Sequence, residues 1–168
     1  DFNEDICSPT SLTMVLNYYG IDVDTITVSR NVYDYGASIY GNWLFNVSYA
    51  SYSGLYSFVA RINSYKQLAD LLYTGVPVIA SISFNSGELK NSPLKKTRGH
   101  LVVIKGMTLN GDIIVNDPAA PDKKGVERVY NGKEFFNAWI IRKYGTSYII
   151  ADEKKIDRVI KIFNTESL

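Results

Sequence analysis

Leu12, Val15, Leu16 and Tyr19 follow the i, i+3, i+4, i+7 spacing of one helical face, which predicts a helix over 9–19. Pro9 suits its first position and Gly20 suits the left-handed residue that ends it. The spacing predicts a second helix over 25–34 and a third over 43–52, bounded by Gly41 and Gly54. Ser64 is a good N-cap for a helix running to Tyr73, with Leu68, Leu71 and Leu72 on one face and Gly75 closing it. The pattern then changes period. Residues 76–84 are rich in β-branched side chains and predict a strand, and a polar loop over 85–98 follows. Strands are expected over 100–107 and 112–116, joined by a turn at Asn110-Gly111, with Pro118 stopping the second. Further strands are expected over 126–130 and 147–151, with a helix near 133–141 between them and a short helix or tail over 154–163. Helices first and antiparallel strands later indicate an α+β domain with the helices packed to one side of a sheet. With no repeat or linker, residues 1–168 read as a single domain.

Composition narrows the function classes. The 46% of apolar residues can build a core, and 18 basic against 17 acidic residues leave a charge of +1. Nucleic-acid binders carry a concentrated basic face, so no nucleic-acid partner is expected. The longest apolar runs are far shorter than the ~20 residues needed to span a bilayer, so no membrane span is expected. One cysteine excludes an internal disulfide and is compatible with either redox environment; an extracellular or cell-surface bacterial setting is expected rather than the cytoplasm. One Cys and one His make a zinc site improbable, and no metal or other cofactor is expected. The oligomeric state is not legible. Asn46-Val47-Ser48 fits a glycosylation pattern but falls inside an expected helix, and Lys90, Lys95, Lys96 and Arg98 read as a solvated basic loop.

The lone cysteine, the lone histidine and an Asp-Pro each have a plain reading alone: buried hydrophobe, hydrogen-bonded core residue, turn. Their placement changes that. Cys7 stands immediately before the first helix, where unpaired N–H groups and the helix dipole favour negative charge. His100 opens a strand after Gly99, and Asp117 ends the return strand. A turn at 110–111 pairs residues near 102–105 with 116–119, which brings Asp117 within a few residues of His100 across the ladder. A carboxylate there can take the imidazole N–H and orient the ring. A helix terminus contributes roughly 0.3–2 kcal/mol, whereas an imidazolium about 4 Å away contributes roughly 4 kcal/mol at an effective dielectric near 20. The histidine would therefore be the main activator of the thiol.

The segment Cys7-Ser8-Pro9-Thr10-Ser11, with Met14-Val15-Leu16 and Tyr18-Tyr19-Gly20, resembles the nucleophile region of bacterial double-glycine-leader-type cysteine peptidases and their C39-like relatives. Gly99-His100-Leu101 and Val115-Asn116-Asp117-Pro118-Ala119 resemble that family's histidine and aspartate segments. Gly41-Asn42-Trp43 and Gly75-Val76-Pro77-Val78 are similar to further family blocks, and the resemblance runs from Cys7 to about Ile150. It implies a papain-like fold with N-terminal helices on an antiparallel sheet. It also implies a peptide or protein substrate and a triad in which Cys7 attacks, His100 moves the proton and Asp117 orients the ring. An acyltransferase on the same triad, or a weakly catalytic binding module of a larger extracellular protein, are the alternatives.

The family places a glutamine upstream of the cysteine as an oxyanion donor. None stands in 1–6, which leaves the Cys7 backbone N–H, with Asn3 as a poor substitute, and predicts that the natural chain supplies an amide donor further upstream. The stretch 33–58 holds nine of the 22 aromatic residues, and Trp43 is its best candidate for a substrate groove, because an indole N–H seeks a partner.

Overall fold

The computed structural model describes residues 6–165. Helix α1 spans Cys7–Tyr18, α2 Thr25–Val32, α3 Trp43–Tyr52, and strand β1 Tyr56–Arg61. Helix α4 (Tyr65–Tyr73) leads into β2 (Val78–Phe84), β3 (Thr97–Met107), β4 (Ile113–Asn116) and β5 (Glu127–Tyr130). Helix α5 (Gly132–Phe136) runs into a π-helical turn over Asn137–Ile141, followed by β6 (Thr146–Ala151) and α6 (Ile156–Thr165). The six strands form one antiparallel sheet in the order β1-β6-β2-β3-β4-β5. This is an α+β fold. Among the described residues no helix is long and apolar enough to cross a membrane.

The helices do not lie on one side, as their order along the chain suggested. Strand alternation makes both faces of the sheet apolar, and each needs cover. Leu12, Val15 and Leu16 of α1 pack with Val28 of α2 and Val47 of α3 against Ile79, Leu101 and Val103. Leu68 and Leu71 of α4, Trp139 of the π-helical turn and Val159 of α6 cover Val78, Ala80 and Val102 on the other face. Each fully buried Leu or Val contributes roughly 1.5–3 kcal/mol, so the α1 stripe alone fixes that helix firmly on the sheet.

Strand β1 was not expected from the sequence. It pairs with β6, Tyr56 opposite Ala151 and Arg61 opposite Thr146, and shows no period of two because Phe58 and Ala60 pack on one face of the sheet and Val59 on the other. Helix α1 begins two residues earlier than its apolar spacing implied, so Cys7 is its first residue rather than its predecessor. Ser64 caps α4 by accepting from the Gln67 N–H, and Gly20 and Gly75 take positive φ at helix ends, as read. The β3–β4 connection is a three-residue loop with Gly111 alone in the left-handed region, rather than a two-residue turn.

Candidate active site

Helix α1 starts without a side-chain cap and without an acidic residue in its first turn. Within that first turn its leading N–H groups meet no competing carboxylate, and the positive end of the helix lies at Cys7. Thr13 donates back to the Pro9 carbonyl at 2.8 Å. One turn after Cys7, Ser11 Oγ donates to the Leu101 carbonyl at 3.1 Å. That bond ties the helix to β3 beside His100.

Two bulges interrupt β3. Ile82 pairs with His100 but Phe84 with Thr97, so Arg98 and Gly99 together face Ser83. Bulges bend a strand and re-aim the residues beside them, and this one immediately precedes the histidine. The second lies between Ile104 and Gly106 in the pairing with β4; past it Val103 faces Asn116, which sets Asp117 level with Val102 and diagonal to His100. His100 and Asp117 thus share a face, and Asn116 turns to the other, where it lines a separate cavity with Met14 and Val15.

His100 is 2% exposed and Asp117 fully buried. His100 Nε2 lies 2.7 Å from Asp117 Oδ1. An ionised carboxylate only accepts, so Nε2 carries the proton and donates. Cys7 is within side-chain hydrogen-bonding reach of the same ring, and Nδ1 is the nitrogen left to meet it. Burial pulls the His100 pKa down, but hydrogen bonds and charge from Asp117 and Cys7 outweigh it and push the value up to about 9. Burial pushes Asp117 up, yet His100, Tyr130 and the Ala119 N–H together hold it below the ordinary carboxylate range. An imidazole held between a carboxylate and a thiol can take the thiol proton, stabilise the anion and later deliver the proton elsewhere.

The carboxylate is more fully held than the sequence indicated. Tyr130 Oη donates to Asp117 Oδ2 at 2.5 Å, and the Ala119 N–H donates to Oδ1 at 2.9 Å. Tyr130 sits on β5, is fully buried, and its phenol is raised, by burial first and then by Asp117. Nothing local marks it, since only the β4–β5 pairing brings it to Asp117. Ser8 Oγ and Tyr148 Oη, 2.9 Å apart, form a second buried contact beside the cysteine.

Cys7, 6% exposed, lines a cleft of about 530 Å³ with Tyr40, Trp43, Ser81, Gly99 and Lys143. Trp43, at the first position of α3 after the Asn42 cap, is 41% exposed and forms part of that wall. Tyr33 and Tyr40 of the aromatic stretch line the same cleft, Tyr49 and Phe58 pack against the two cores, and Tyr35 and Tyr52 are exposed. Asn46 is fully buried and donates to the Tyr40 and Asn42 carbonyls, so its glycosylation pattern is not presented. Asn3 and the upstream oxyanion donor lie outside the described residues.

The chain matches the model of the Peptidase_C39 like family over residues 1–147. Among curated proteins nothing matches. Several solved structures share the fold. A double glycine motif protease from an AMS/PCAT transporter, in complex with its leader peptide, is 23% identical, with a TM-score of 0.61 over 87% of this chain and 84% of that one. The peptidase domain of Streptococcus ComA is 19% identical, with a TM-score of 0.61 over 89% and 93%. A Bacillus anthracis protein described as a C39-like peptidase is 16% identical, with a TM-score of 0.63 over 89% and 90%. At these identities the likeness establishes the fold.

Proposed function

Because the chain belongs to the Peptidase_C39 like family, we propose that it is a cysteine peptidase whose nucleophile is Cys7, with His100 as base and acid and Asp117 as orienter. The observation that carries this is the buried His100–Asp117 pair, with Nε2 and Oδ1 2.7 Å apart, beside a buried Cys7 that interacts with the same imidazole. The Cys7 sulfur attacks the scissile carbonyl carbon, and the oxyanion that forms is met by the Cys7 backbone N–H at the helix start. His100 delivers a proton to the leaving amine, the C–N bond breaks and a thioester remains. Water then attacks the thioester while His100 accepts its proton. The carboxylate product leaves and the thiol–imidazole pair is restored. Trp43 forms one wall of the groove in which the peptide lies. A structural neighbour's complex with a leader peptide supports a peptide substrate here.

The test uses the single cysteine and single histidine. Iodoacetamide at pH 6 is expected to modify Cys7 far faster than a free thiol of pKa ~8.5, and His100→Ala to remove that advantage. A peptide library read by mass spectrometry is expected to be cleaved by the native chain and untouched by Cys7→Ser. Reactivity at pH 6 that survives His100→Ala, or cleavage that survives Cys7→Ser, would overturn the assignment.

A further inference from the structure

We propose that Lys143 is a specificity-determining residue that pairs with a carboxylate of the substrate next to the scissile bond, so that the preferred substrates are acidic peptides; this rests on Cys7 being the nucleophile. Lys143 and Lys155 are the two half-buried lysines among the described residues. Lys155 is paired with Asp152 at 2.7 Å. Lys143 has no carboxylate partner among the described residues, and its Nζ donates only to the Arg98 carbonyl, at a long 3.4 Å. Its stem is partly covered while its ammonium is left without a carboxylate among the described residues, so it is available to a charge brought by a ligand.

The position of that ammonium tells what the counter-ion is. Lys143 and Trp43 line both the Cys7 cleft and a neighbouring cavity of about 470 Å³. Arg61 and Arg142 line the second, and no Asp or Glu among the described residues lines either. Arg142 is neutralised by Glu88 at 2.6 Å, whereas Arg61 only stacks over the Tyr144 ring, 5.5 Å from its centroid. The continuous surface leading from the nucleophile is therefore cationic, with Lys143 at its divide. Gly99 lies beside the Lys143 ammonium, 4.0 Å from where its Cβ would stand, which places that charge at the cleft next to the strand carrying His100.

The backbone that presents Lys143 is pinned. Tyr144 and Gly145 take consecutive positive φ values of 54° and 66° directly after it. A side chain on Gly145 would meet the Ile62 carbonyl oxygen at 1.8 Å, and the Ile62 N–H donates to the Gly145 carbonyl at 3.0 Å. Thr146 Oγ1 donates to the Lys143 carbonyl at 2.7 Å. Left-handed residues in a turn held from several sides, following a π-helical segment, are the kind of backbone found where a side chain must be aimed. The carboxylate could belong to an Asp or Glu side chain or to a chain terminus, and both present the same charge to Lys143.

Fluorogenic peptides that differ only by Glu, Gln or Lys at successive positions flanking the cleaved bond test this, with one pair ending in a free carboxylate or an amide. Glu is expected to exceed Gln in kcat/KM by about fivefold at one position. Lys143→Gln should abolish the preference, Lys143→Glu should transfer it to the Lys peptide, and the distant exposed Lys161→Gln should leave it intact. A preference confined to the free-carboxylate peptide assigns the terminus rather than a side chain. Independently of turnover, the rate ratio of iodoacetate to iodoacetamide at Cys7 should fall severalfold in Lys143→Gln. If no peptide is cleaved but this ratio falls, the peptidase reading fails while the charge recognition stands. Cleavage without acidic preference, or a preference that survives Lys143→Gln, overturns the inference.

Discussion

Asp117→Asn tests what holds the imidazole protonated. The variant keeps the shape of the side chain and an acceptor oxygen but removes the charge. In the native protein burial opposes the imidazolium, yet Asp117 and Cys7 carry the pKa from 6.5 to about 9. At ~1.36 kcal/mol per pH unit that interval is worth about 3 kcal/mol in favour of the charged ring. The two side chains are 2% and 0% exposed, so water does little to screen the pair. Without the Asp117 charge, burial is left opposed mainly by Cys7, and the His100 midpoint is expected to fall to about 6.5 or below.

The same shift fixes how stability depends on pH. A raised histidine stabilises the fold fully below its unfolded value near 6.5, and that contribution is lost as pH rises toward 9. The native protein should lose ~3 kcal/mol across that window from this group, and Asp117→Asn little or none. NMR titration of the ring carbon-bound protons of the sole histidine, with urea unfolding at pH 6.5 and 9, measures both. A variant midpoint that stays near 9 would refute the argument, because some other group would then be holding the proton.

Tyr130→Phe leaves Asp117 Oδ2 buried without its hydroxyl donor, at ~1–3 kcal/mol; calorimetry should show a Tm lower by about 3–10 °C for a domain of this size. Ser11→Ala removes the tie from α1 to the Leu101 carbonyl, so Cys7 alkylation at pH 6 should slow while urea stability falls by only ~1 kcal/mol; unchanged alkylation would mean that Ser11 does not position the thiol. Gly145→Ala combines a positive φ with a contact of 1.8 Å to the Ile62 oxygen, and should cost more than ~3 kcal/mol in urea unfolding.

Much of the architecture was legible because its causes are local. The stripe of Leu12, Val15 and Leu16, the Ser64 cap and the glycine helix ends depend on residues three or four apart. The turn brought Asp117 to the right stretch of β3, but the bulge between Ile104 and Gly106 sets it level with Val102 and diagonal to His100, and no local pattern announces that bulge. Strand β1 was not legible, because it is partly covered on both faces, Phe58 and Ala60 on one and Val59 on the other, and so carries no alternation. Nor could the order of elements say that α4 and α6 cover the far face. That depends on both sides of the central strands being apolar, and helical order does not encode it.

The amino-acid sequence by itself determined the family and singled out the residues proposed to carry the chemistry, since the chain has one cysteine and one histidine. It also determined the helix that starts at the thiol and the hairpin that carries the carboxylate. Only the tertiary structure decided how those groups are held and what surrounds them. The bulge at Arg98-Gly99 precedes the ring, Tyr130 reaches Asp117 from another strand, and Lys143 enters the cleft from the turn before β6. The reason is range. Periodicity, caps and turns are set by neighbours along the chain, whereas these contacts join residues from 13 to more than a hundred positions apart and exist only once the strands are paired.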